Sequence, residues 1–233
     1  ICEGLVGSEM CIRDRVKSIS QFIALIFHPV FIVLYSYLIY FNINSIYNQM
    51  LYLAAPKIYW PLFSFLGLMV VFFPLLTIYI MYKNKVVSSL SIPKREERIP
   101  VLILVIIYYS MAYYIFRYWN TTLLNLLEPF LSFLFGGLIL LIALTLTTFK
   151  WKISLHSASI SGLAGGMIAE TLIAQPRIGF ESELLVNALL LFMIGLVSFS
   201  RVFLKAHNVL QVVTGIVVGF VVVFGMVFLQ LNI

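Results

Sequence analysis

Long runs without a charged residue dominate the chain. Residues 18–56 hold no Asp, Glu, Lys or Arg, and further apolar stretches cover 58–82, 99–116, 129–149, 156–174, 184–200 and 208–230. A helix crosses the hydrocarbon core of a bilayer with about 20 mostly apolar residues. The runs therefore predict a first span near 20–41, followed by a polar loop FNINSIYNQ, and one further span in each later stretch. The period-2 alternation of a membrane barrel is missing, and an open sheet cannot satisfy its edges in lipid. The expected fold is all-α: a polytopic transmembrane helical bundle of about seven spans, six to seven, with short connections and one domain over 16–233.

Two of these stretches differ from the rest. The fifth, HSASISGLAGGMIAETLIA, carries Gly162, Gly165 and Gly166 among Ser and Ala; the seventh carries Gly215 and Gly219 four residues apart. Small residues let helix backbones approach closely. The two helices are expected to form the tightly packed centre of the bundle.

Composition agrees with the pattern. Apolar types make up 62% and charged types 10%, with a mean hydropathy of +1.07. Soluble domains carry about a quarter charged residues, so this chain could not cover itself with polar groups in water. An ordinary cytosolic enzyme, a disordered chain and a nucleic-acid binder are excluded. The expected location is a membrane, of the bacterial inner-membrane kind.

The opening segment ICEGLVGSEMCIRDR is mixed and non-periodic. It resembles translated sequencing-adapter read-through, and residues 1–15 are expected to be non-native. Setting them aside removes three acids (Glu3, Glu9, Asp14) and two bases (Arg13, Arg15), which takes the net charge from +6 to +7. It also removes both cysteines, Cys2 and Cys11, and the only aspartate.

The basic residues are unequally divided. With seven spans, one side of the membrane holds Lys57, Arg117 and Arg177. The other holds Lys17, Lys83, Lys85, Lys94, Arg95, Arg98, Lys150, Lys152, Arg201 and Lys205, and the positive-inside rule would turn that face to the cytoplasm. Three loops on the basic face carry nearly all the reactive groups: SIPKREERIP with Lys94 and Arg98, SLHSAS with His156, and SRVFLKAHNVLQ with Arg201 and His207. Cations of this kind bind phosphoryl oxygens and neutralise charge in the transition state. One neutral imidazole can attack phosphorus and another can protonate the departing oxygen. The sequence offers no metal cage, and no metal or cofactor is expected.

The order and spacing of these residues resemble the type 2 phosphatidic acid phosphatase superfamily. Ser200, Arg201 and His207 match the start of its third motif, S-R-x5-H-x3-D. His156 with Ser157 matches its second motif, P-S-G-H, at the histidine, and Lys94, Arg98 and Pro100 resemble a contracted K-x6-R-P. The resemblance implies a core of that family's kind, with His207 as the nucleophile that forms a phosphohistidine and His156 as the acid to the leaving group. Arg98, Arg201 and Lys94 would hold the phosphate. It also implies a lipid phosphate or prenyl diphosphate as substrate, hydrolysed without metal.

The motif aspartate is Gln211 here, which can accept an imidazole N–H but supplies no charge. The expected function is therefore membrane phosphatase-like, with weakened activity. The alternative is a non-catalytic protein that binds phosphorylated lipid or serves as a scaffold. His28, directly before Pro29, reads as a bonded structural histidine at a helix kink, and Glu170 as an interfacial acid near Arg177. The family's lipid phosphatases usually face away from the cytoplasm, against the basic-residue count, so the side of the site stays open, as does the oligomeric state.

Overall fold

The computed structural model describes residues 5–43, 45–89, 95–118, 121–173 and 180–231. Every regular element among them is helical. In chain order these are α1 (Leu5–Ile26), α2 (Pro29–Asn42), α3 (Ile46–Ala54) and α4 (Tyr59–Gly67), which passes through a π segment (Leu68–Phe72) into α5 (Phe73–Lys83). They continue with α6 (Arg95–Tyr118), α7 (Thr121–Thr148), α8 (Leu155–Ile173), α9 (Phe180–Phe203) and α10 (Val209–Phe228).

Five helical stretches are long and apolar enough to cross a membrane: Tyr59–Lys83, Glu96–Tyr118, Leu126–Thr148, Phe180–Phe203 and Val209–Phe228. The pair Ile12–Ile26 and Pro29–Asn42, bent by 64°, raises the number to six when taken as one span. The chain is an integral membrane protein. The expected fifth span forms as helix α8 but is not among these candidates, because Ser, Gly, His and Glu lower its hydropathy. Protein rather than lipid surrounds it: Ser157, Ala158 and Ser161 to Met167 are all buried.

Three departures from the expected segmentation have local causes. Pro29 opens α2, and the bend falls there because proline at the first helical position has no N–H to place in the preceding turn. The expected polar loop after α2 instead contains α3. Ser45 caps it by accepting Asn48 N–H at 3.1 Å, and the Asn48 amide donates to the carbonyls of Tyr40 at 2.7 Å and Ile43 at 2.9 Å. The π segment lies just before Pro74, where a wider turn carries the Phe73 N–H to the Leu68 carbonyl and relieves the clash a proline ring makes with an α-helical turn. Helix α1 begins within the fifteen residues expected to be foreign and runs unbroken to Ile26.

The expectation for the two glycine-bearing helices holds: α8 and α10 form the most extensive helix pair. A Cβ at Gly165 would lie 2.6 Å from the Phe220 carbonyl oxygen, and one at Gly215 would lie 2.8 Å from the Ser154 carbonyl oxygen. Around this pair lie α7 and α9, while α2, α4, α6 and α7 share an aromatic core built on Tyr37, Phe41, Phe116 and Phe130.

A candidate anion site at the basic end of the bundle

The corner between α9 and α10 carries the Arg201-to-His207 spacing. The last turn of α9 closes with Ala206 N–H donating to the Arg201 carbonyl at 3.1 Å and Lys205 N–H donating to the Val202 carbonyl at 2.9 Å. These two bonds make a Schellman ending, with Lys205 in the left-handed conformation at φ 52°. The five intervening residues are thus one helical turn and its cap, which fold His207 back beside Arg201. Glycine adopts this backbone without the steric penalty a Cβ brings. We expect Lys205→Gly to stabilise the protein by about 1 kcal/mol, seen as a higher midpoint of thermal unfolding in detergent. An unchanged or lower midpoint would contradict that backbone assignment.

Asn208 then caps α10. Its side chain accepts Gln211 N–H at 2.9 Å, while Gln211 Oε1 accepts Asn208 N–H at 3.3 Å, completing a capping box. The same Gln211 Oε1 lies 3.1 Å from His207 Nδ1. Because Oε1 already accepts a backbone N–H, the amide orientation is set and Nδ1 must be the donor. In neutral His207 the lone pair is therefore on Nε2. Two further bonds hold the corner: Lys152 Nζ donates to the Ala206 carbonyl at 3.0 Å, and Ser154 N–H donates to the Gln211 carbonyl at 3.3 Å.

His156 sits in the first turn of α8. Ser154 Oγ accepts Ser157 N–H at 3.4 Å and shares a hydrogen bond with Ser157 Oγ at 2.9 Å; both serines are fully buried. The His156 Nε2 lies 3.1 Å from the Ala24 carbonyl of α1, which can only accept, so Nε2 carries a proton and Nδ1 is the remaining ring nitrogen.

These groups face a common space. A cavity of about 450 Å³ is lined at one end by His28, Arg98, His156, Arg201 and His207. Its walls are apolar, with Val101 and Val105 of α6, Leu140 of α7 and Val223 of α10 among them. Four of the residues named from the sequence, Arg98, His156, Arg201 and His207, are thus brought together, with Gln211 behind His207. Lys94 lies outside the described residues. Among the described lining residues there is no carboxylate. The nearest acid in sequence, Glu97, instead accepts hydrogen bonds from Ser88 N–H at 2.9 Å and Ser88 Oγ at 2.8 Å.

The electrostatics follow from that composition. Burial lowers the His207 pKa to about 4, opposed by its bond to Gln211 and reinforced by Arg201, Lys152 and Arg98. Burial, then Arg98 and Arg201, also lower the Lys152 pKa below the usual lysine value. Arg201 Nε is buried with no hydrogen-bond partner among the described residues. Clustered cations, an unsatisfied guanidinium nitrogen and no described lining acid are the chemistry an anion site needs, and they make this end of the cavity a candidate for one. No three His, Cys, Asp or Glu side chains among the described residues are grouped to hold a metal ion.

Two residues were not singled out as site residues from the sequence. Lys152 appeared only as one of many basic-face residues, and its reach to Ala206 is a tertiary contact. His28 had a local signal, since it precedes the proline where the first span breaks, but its cavity position depends on the direction of the bend. Of the polar residues at the other end of the bundle, Glu170 is half-buried, with Oε2 unpaired among the described residues and Glu183 close enough to repel it; Arg177 lies outside them. Comparison with protein-family models, curated proteins and solved structures found no match.

Proposed function

We propose that this chain is a membrane phosphatase of the type 2 phosphatidic acid phosphatase kind, with a seven-helix core in which α8 is the fifth span. In this reading it hydrolyses a lipid phosphate or prenyl diphosphate in a bacterial inner membrane, and residues 1–15 are foreign. The observation that carries the reading is the convergence of Arg98, His156, Arg201 and His207 on one cavity. That cavity is cationic at one end and apolar along its walls, which suits a phosphate head with its tail directed into the bundle.

The chemistry is a double displacement. The His207 Nε2 lone pair attacks phosphorus and the bond from phosphorus to the leaving oxygen breaks. Arg98 and Arg201 neutralise the phosphoryl oxygens. The anionic substrate, once bound, favours the imidazolium of His156, which keeps its Nε2–H on the Ala24 carbonyl and delivers the Nδ1 proton to the leaving oxygen. Water then attacks the phosphohistidine, neutral His156 takes the water proton, and the P–N bond breaks to release phosphate. The Gln211 amide holds Nδ1–H throughout. Purified protein should release phosphate from a lipid phosphate in detergent without added metal. If phosphate binds but is not released, the chain is a binder of phosphorylated lipid, the reading that the missing carboxylate at position 211 favours.

Gln211→Glu tests how far the missing charge limits the reaction. Glutamate keeps the length that the capping box requires and places a carboxylate against His207 Nδ1. A carboxylate favours the imidazolium, so the His207 pKa rises from about 4. We expect the acid limb of kcat/KM to move upward by about one pH unit or more. Turnover at neutral pH should rise at least about tenfold, since loss of the equivalent charge in a serine protease costs about 10⁴. An unmoved acid limb would remove His207 from the rate-determining chemistry.

A further inference from the structure

His28 serves two structural purposes at once. It is the N-cap of α2, with Val30 N–H donating to its Nδ1 over 3.4 Å. Its ring also lines the cavity and meets His156 edge-on, with centroids 5.2 Å apart and planes at 86°. The cap defines the tautomer: Nδ1 accepts, so the neutral ring carries its proton on Nε2. Arg98 and Arg201 line the same cavity. No carboxylate among the described lining residues is available to take the Nε2 proton.

We propose that His28 is a further phosphate-binding residue, donating Nε2–H to a non-bridging phosphoryl oxygen while its Nδ1 caps α2. The assignment rests on the phosphatase reading of the same cavity. It makes the bend before Pro29 part of the site, because the break directs the cap residue of α2 inward instead of leaving it inside a continuous helix. A neutral N–H donor complements Arg98 and Arg201: it satisfies an oxygen lone pair without adding a charge that would repel them.

Two substitutions separate the cap from the ligand. The shorter amide side chain in His28→Asn reproduces an acceptor near the Nδ1 position and is a favoured cap, but has no atom at the Nε2 position. The variant His28→Gln reproduces a donor near Nε2 and weakens the cap. Two readouts apply to the detergent-solubilised full chain: inorganic phosphate binding, measured by titration calorimetry, and the midpoint of thermal unfolding. His28→Asn should weaken phosphate binding about tenfold, the scale of one hydrogen bond to a charged group, with the unfolding midpoint unchanged. His28→Gln should retain phosphate binding and unfold at lower temperature. Unchanged binding in His28→Asn, with binding lost in Arg201→Gln, would overturn the assignment of His28 and leave the phosphatase reading standing. Failure of the unsubstituted chain to bind phosphate would overturn both.

Discussion

Replacing His207 by alanine is expected to lower phosphate release by about 10⁴-fold or more, the scale seen when a covalent nucleophile is removed from a hydrolase. The expectation rests on the tautomer. Gln211 Oε1 is committed to accepting, from Asn208 N–H and from His207 Nδ1, so the free lone pair of neutral His207 is on Nε2. A pKa of about 4 keeps that nitrogen unprotonated at neutral pH. The intermediate offers a second readout. A phosphohistidine is labile in acid and survives alkali, so substrate carrying a labelled phosphate should leave alkali-stable, acid-labile label on the chain. The label should vanish in His207→Ala. It should persist, with slower formation, in His156→Ala, if the missing group is the acid to the leaving oxygen as proposed. Phosphate release undiminished in His207→Ala would transfer the nucleophile's role elsewhere. Failure of the unsubstituted chain to release phosphate while still binding it would favour the non-catalytic reading.

How much of this could be read from residues alone depends on the range of the interaction. Spans over 58–82, 99–116 and 208–230 were legible because lipid contact demands apolar residues in every turn, whatever the neighbouring helices do. The pairing of α8 with α10 was legible because its glycines are a local record of close backbone approach. That Arg201 and His207 share one site was legible from their spacing, although the Schellman turn that brings them together was not, since Lys205 occupies the position that glycine usually marks. Helix α3 was hidden because its nine residues are too few to cross a bilayer and its start is fixed by Ser45 and by Asn48 reaching back to Tyr40 and Ile43. Lys152 and His28 were missed for the same kind of reason. Lys152 acquires its role through a carbonyl 54 residues away, and His28 through a 64° bend whose existence Pro29 announces but whose direction it does not.

The centre of the bundle should be intolerant of a single methyl group. A Cβ on Gly219 of α10 would fall onto the Ala158 carbonyl oxygen and the Ser161 hydroxyl of α8. Neither neighbour can yield easily: the carbonyl belongs to helix backbone, and Ser161 Oγ donates to that same carbonyl at 3.0 Å. Gly219→Ala therefore has to push α10 away from α8, and overpacking of this kind costs about 1–3 kcal/mol or more. Gly225, further along α10, has open space where its Cβ would lie, and Gly225→Ala should be neutral or stabilising by up to about 1 kcal/mol through helix propensity. The contrast separates packing from propensity, since both are glycine-to-alanine changes in one helix. Displacement of α10 should also reach the site. Gln211 precedes Gly219 on the same helix and holds His207, and Ser154 N–H, at the start of α8, bonds to the Gln211 carbonyl. Gly219→Ala should accordingly lower both the unfolding midpoint and the affinity for inorganic phosphate, while Gly225→Ala leaves phosphate binding unchanged. Equal behaviour of the two variants would mean that α8 and α10 are not in backbone contact at Gly219, and the geometry that brings His156 to His207 would lose its support.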